Sequence, residues 1–173
     1  LFLCAGSIIH SMHHQQDIRF YGGLKNKLPI TFYSMLIGTL AITGLGIPLS
    51  YDLFHLPIGF AGFVSKDAII EGIYASKNES AFIYFLLITI CTLLTSLYSW
   101  RLIILTFFGD YKGKIEHFNH AVEDSRSINI TLIFLSICSI LVGVIFYDIF
   151  LGKNAEYFIS QSLFISPDNT VFY

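Results

Sequence analysis

From Ala81 to Trp100, and again from Ser127 to Tyr147, the chain carries no charged residue. A helix needs roughly 20 predominantly apolar residues to cross a bilayer, and both runs are long enough. Composition agrees: hydrophobic residues make up 54% and charged residues 13%, with a mean hydropathy of +0.68, against roughly 25% charged in an ordinary soluble domain. The fold class expected is all-α, a polytopic transmembrane helix bundle in contact with the lipid bilayer. A net charge of −2 leaves no basic patch for nucleic acid. Cys4, Cys91 and Cys138 lie far apart, each in an apolar run, which suits neither a zinc site nor a disulfide framework. They read as small buried hydrophobes, and no metal site is expected.

The chain opens on Leu1 with no charged segment before its apolar start. It reads as an internal fragment beginning partway along a helix, not as a signal peptide. That helix end, residues 1–14, closes on His13-His14-Gln15-Gln16-Asp17. His10 and His14 share a face, but two ligands are not a metal site, and interfacial histidines are the simpler reading. Asp17 to Lys27 is a basic loop broken by Gly22-Gly23. Pro29 suits the first turn of the next helix, which is expected over 28–47 with Gly38, Gly44 and Gly46 as packing positions. Pro48 to Pro57, with Ser50, Asp52 and His55, interrupts it, and a second helical piece follows over 59–76. Asn78 reads as an N-cap. A long helix over 81–108 would measure about 42 Å. Its Thr89, Thr92, Ser96 and Ser99 form a hydroxyl stripe, read first as helix packing and alternatively as a proton wire. Tyr98 and Trp100 suit an interface, to which Arg101 can snorkel. Residues 109–126 form a charged loop in which His117 and His120 read as solvated. A last helix is expected over 127–150, then a tail over 151–173. All of this reads as one transmembrane domain.

The pieces 28–47 and 59–76 are either two crossings or one discontinuous crossing. Lysine and arginine favour the cytoplasmic side, so charge arbitrates. With one crossing, Arg19, Lys25, Lys27, Arg101, Lys112, Lys114 and Arg126 share a side, against Lys77 and Lys153, seven to two. With two crossings the split is five to four, which is no bias. One broken crossing is therefore expected, and unwound backbone is tolerated there only against protein or a wet cavity.

Lys66 sits within the second piece, in Gly59-Phe60-Ala61-Gly62-Phe63-Val64-Ser65-Lys66-Asp67. A lysine in an apolar span is costly and marks an ion pathway or a buried partner, and a helix restarting beside a break is a recurring ion site. Desolvation disfavours the charged form of a lysine, which lets a buried one trade protons near neutral pH. In a helix, Gly62 and Gly59 share its face and leave room for a neighbour or for water. Asp67 points elsewhere, and Glu71 lies one turn beyond it on that other face. The blander reading is a structural lysine paired with a carboxylate on another helix.

These residues resemble the largest antiporter-like membrane subunit of respiratory complex I, subunit L in bacteria and chain 5 in mitochondria. The resemblance rests on Leu1-Phe2-Leu3-Cys4-Ala5-Gly6-Ser7, His13-His14-Gln15-Gln16-Asp17, Gly22-Gly23-Leu24, the Gly59–Asp67 segment, Thr95-Ser96-Leu97-Tyr98-Ser99-Trp100-Arg101 and Thr106-Phe107-Phe108-Gly109. It is strong to about residue 110 and weaker beyond. It implies that Lys66 is the proton-transfer lysine of a half-channel and Asp67 its accompanying acid. It also implies further channel residues on helices preceding Leu1, so that His10, His13 and His14 are not the family's channel histidines. No cofactor is expected in this chain, and no direct NADH binding. The implied partners are the other membrane subunits of the NADH:quinone oxidoreductase. The implied location is a bacterial inner membrane or the mitochondrial inner membrane. Two other functions compete. One is a subunit of a Na⁺/H⁺ antiporter complex or membrane-bound hydrogenase. The other is a structural membrane scaffold.

Overall fold

The computed structural model describes residues 1–47, 58–75, 80–123 and 126–150. Among them the regular elements are helices: α1 (Phe2–Ser11), α2 (Pro29–Thr43), α3 (Ala61–Ala75), α4 (Ala81–Phe107), α5 (Ile115–His120), α6 (Arg126–Ile145) and α7 (Tyr147–Phe150), with two 3₁₀ turns at Ile18–Phe20 and Leu24–Asn26. The all-α expectation holds. Both α4 and α6 are long and apolar enough to cross a membrane, whereas α2 and α3, at 15 residues each, are shorter than a full crossing requires.

Several boundaries move inward, each for a local reason. The first helix stops at Ser11 rather than 14, because His13 and His14 adopt left-handed backbone, φ 51° and 63°. The piece expected over 28–47 ends at Thr43, since Gly44 turns left-handed at φ 76°. The piece expected from 59 starts at Ala61, because Gly59 forms an antiparallel bridge with Gly46. Ile47 N donates to Ile58 O (2.8 Å) and Phe60 N to Leu45 O (3.1 Å). The described backbone that follows α2 and precedes α3 is therefore paired rather than helical. The predicted break at 48–57, the Asn78 cap and the tail from 151 lie outside the described residues. The expected helix over 127–150 is instead α6 followed by the short α7.

Backbone contacts group the chain into two compact units, Leu1–Leu40 with Ser96–Cys138, and Ala41–Thr95 with Ser139–Tyr173. The first holds a continuous apolar core that includes Cys4, Ile8, Met12, Leu24, Phe32 and Phe107. Phe32 meets Phe107 edge-on at 5.0 Å. Its loops interlock. A side chain at Gly22 (φ 146°) would collide with the Asp110 carbonyl, so this position must stay bare. The Lys25 ammonium lies 5.3 Å over the Phe32 ring and 5.4 Å over that of Phe108, and the Lys27 ammonium 5.4 Å over Phe118. Such contacts let a cation sit on apolar surface. His117, expected to be solvated, instead packs its ring 4.9 Å from that of His13. Burial, and secondarily Tyr111, pushes the Tyr21 phenol up to about 12. Its hydroxyl donates to the Gln15 carbonyl.

The first unit also secures the start of α2. The Glu123 carboxylate accepts from Ile30 N (2.6 Å), Thr31 N (3.4 Å) and the Thr31 hydroxyl (3.3 Å). The first amides of a helix have no partner within it and carry its positive end. A carboxylate from 92 residues away satisfies them here.

In the second unit α3 lies against α4, where the Tyr74 and Phe85 rings are 5.5 Å apart. The Phe63 ring covers the bare backbone of Gly46 and Gly59, and Gly143 of α6 faces the backbone of Ala61.

Candidate functional site

Helix α2 stops at Thr43, and Gly44 N closes part of its last turn by donating to Ala41 O (3.2 Å). Lys66 supplies a donor: its ammonium donates to the Ile42 carbonyl oxygen. A cation is favoured at that end, where the helix dipole is negative. Gly62 makes the approach possible. Any side chain there would run into the Ala41 carbonyl, so α3 crosses the last turn of α2 in backbone contact. Lys66 sits one turn further along α3, level with Ile42. Gly44 completes the fit, with its Cα facing the aliphatic stem of Lys66.

Lys66 is half-buried, whereas Asp67 is exposed, as its position one residue along the helix requires. The structure therefore separates the two predicted site residues rather than pairing them. Glu71 is also exposed. Lys66 also borders a cavity of about 260 Å³, lined with Ile69 and Ile70 of α3 and Ile88, Cys91, Thr92 and Thr95 of α4. Its walls are mostly hydrocarbon.

The hydroxyl stripe is partly resolved. Thr89 donates to Phe85 O (2.8 Å), Thr92 to Thr89 O (2.8 Å) and Thr95 to Cys91 O (2.7 Å), all within α4. Thr92 reaches the Lys66 cavity together with Thr95, which the stripe omitted. The signal for Thr95 was available, since Ile88, Thr92 and Thr95 follow an i, i+4, i+7 spacing. The Ile42 acceptor was not available in the same way, being a backbone group exposed only by where α2 ends. Tyr98 and Trp100 are 56% and 40% exposed, consistent with an outward-facing position. Among the described residues no group of three or more metal-ligating side chains assembles.

Residues 1–95, which contain α1 to α3 and the Lys66 site, match the model of the family described as NADH:quinone oxidoreductase/Mrp antiporter, TM. The chain belongs to that membrane family. It is 50% identical over 159 residues to NADH-quinone oxidoreductase subunit L of Rhodobacter capsulatus, an alignment covering 91% of this chain and 22% of that protein. It is 37% identical over 171 residues to NADH-ubiquinone oxidoreductase chain 5 of Aspergillus niger (99% and 24%), and 41% identical over 169 residues to chain 5 of Cryptococcus neoformans var. grubii (98% and 24%). The chain thus spans less than a quarter of the length of these relatives. The resemblance to the antiporter-like subunit of complex I is borne out, as is a multi-pass inner-membrane location.

Proposed function

We propose that this chain forms part of a proton-translocating membrane subunit of an NADH:quinone oxidoreductase, with Lys66 as the proton-transfer group of a half-channel and Asp67 as its accompanying acid. One observation carries the reading: the Lys66 ammonium donates to the Ile42 carbonyl in the last turn of α2, and the same residue lines a cavity. A helix end beside a cavity is a recurring setting for an ion-carrying group. On this reading the chain contributes to an enzyme complex without binding NADH itself. Its partners are the other membrane subunits of the complex and the surrounding bilayer.

Membership of a family that includes Mrp antiporters keeps open a role in a Na⁺/H⁺ antiporter complex, or in a related membrane-bound hydrogenase. The similarity to oxidoreductase subunits over more than nine-tenths of the chain favours the first reading. A scaffold role for Lys66 is the remaining competitor. Proton translocation in vesicles containing the intact complex, normalised to assembled complex, separates these readings. Lys66→Ala is expected to assemble and to lose most coupled pumping. Lys66→Arg is expected not to restore it, since a guanidinium with a pKa above roughly 12 does not release its proton. Wild-type pumping by Lys66→Ala would make the lysine structural. Sodium-dependent pumping that needs no NADH would favour the antiporter.

A further inference from the structure

The cavity beside Lys66 has a directional chemistry that the side-chain inventory alone conceals. Lysine ammonium is a donor with no acceptor capacity. Across the cavity, Thr92 and Thr95 give their hydroxyl hydrogens to carbonyls of their own helix, Thr89 O and Cys91 O. A hydroxyl whose proton is spent in this way interacts with other groups through its oxygen. Lys66 thus contributes to the cavity wall on the α3 side and Thr92 and Thr95 on the α4 side, together with hydrocarbon from Ile69, Ile70 and Ile88. A direct bond is not needed to join the lysine and the threonines. A cavity of about 260 Å³ exceeds the roughly 30 Å³ that one water occupies in the liquid several-fold.

We propose that Thr92 and Thr95 are positioning residues that hold water against the Lys66 ammonium, and that they do not conduct the proton themselves. Water accepts from the ammonium and donates to the threonine oxygens, so the ammonium is hydrated inside an apolar wall. Passing a proton onward through either hydroxyl requires breaking its bond to the helix backbone, so the stripe is a holder rather than a wire. This proposal rests on Lys66 as the proton-transfer group.

Valine and serine substitutions give opposite answers for the two roles. Valine keeps the shape of threonine and removes the oxygen, while serine keeps the oxygen and removes a methyl. The intact complex in vesicles is assayed with Thr92→Val/Thr95→Val and with Thr92→Ser/Thr95→Ser. The valine pair is expected to lower pumping per assembled complex by about threefold to tenfold, the scale of one or two lost hydrogen bonds. The serine pair is expected to stay near wild type. A valine pair that pumps normally, or a serine pair that fails equally, overturns the proposal.

A second readout does not depend on pumping. Cys91 lines the same cavity, and its reaction with a small water-soluble methanethiosulfonate reagent should slow in the valine pair and not in the serine pair. Equal rates in both pairs overturn the hydration claim. Normal pumping by Lys66→Ala, with slowed Cys91 labelling in the valine pair, would instead overturn the function assigned to Lys66 and leave the hydrated cavity standing.

Discussion

The two ends of α2 are finished by opposite charges borrowed from elsewhere in the chain. At its start, the Glu123 carboxylate takes two backbone amides and a hydroxyl. At its finish, the Lys66 ammonium gives a bond to the Ile42 carbonyl. Each sign matches the helix dipole at its end, but the settings differ. Glu123 comes from a loop region packed onto an apolar core, and its oxygens make several contacts. Lys66 donates to one carbonyl and lines a cavity. The same electrostatic rule yields a fixed end where the charge is surrounded by partners and, on the proposed function, a responsive end at the lysine.

The most damaging way to break this comparison is to separate the helices at the responsive end. Gly62→Val should force α3 away from Ala41, at a cost on the upper side of the 1–3 kcal/mol typical of overpacking. It should abolish pumping along with normal thermal stability of the assembled subunit. A stable, fully pumping Gly62→Val protein would contradict the close crossing. Next come the charges. Glu123→Gln should weaken the start of α2 by about 1 kcal/mol, read as faster hydrogen exchange at the Ile30 and Thr31 amides, with pumping largely kept. Lys66→Met should have the reverse profile, a small stability change and a large pumping loss. If both substitutions damage pumping equally, the division into fixed and responsive ends is wrong.

Smaller effects concern the loops. The Tyr21 phenol has its pKa raised above the ordinary value of about 10 to about 12. Its neutral form therefore contributes stability that is complete below pH ~10 and is lost as pH rises towards ~12. Phenolate absorbance in an alkaline titration should show one late-titrating tyrosine, missing in Tyr21→Phe. The smallest effect is at Asp17. Its pKa is lowered by hydrogen bonds from the Arg19 side chain and backbone, so any stabilisation is present above the ordinary carboxylate range and lost as pH falls. The pair is exposed, and Arg19→Ala should leave stability within the small range of surface ion pairs, measured by thermal unfolding at neutral pH.

Much of the helical frame was legible because uncharged runs leave little choice. Helix α4 ends within one residue of its expected limit, where Gly109 turns left-handed at φ 82°. The Lys66 position was legible for a related reason, since a charge in such a run stands out. What surrounds it was less so. Thr43 ends α2 four residues early because Gly44 and Gly46, expected to serve helix packing, serve a turn and a bridge instead. Glu123 gave no local sign of capping a helix that begins at Pro29. The His13–His117 contact joins residues that only the folded loops bring together. Local patterns identify helices by their cost in water or lipid, whereas partners across long sequence separations depend on tertiary placement.

The Gly46–Gly59 bridge gives the connection from α2 to α3 a neck. Two backbone hydrogen bonds hold Leu45–Ile47 to Ile58–Phe60, and the stagger of α3 against α2 is set below that neck by Gly62 and Ala41. The number of residues joining Ile47 to Ile58 is then decoupled from the placement of Lys66. Closing a longer connection costs little, about 0.6 kcal/mol for each doubling. Insertions and deletions can accumulate between these two points while the lysine keeps its register, so length variation in this connection is a poor guide to whether the proposed half-channel is intact.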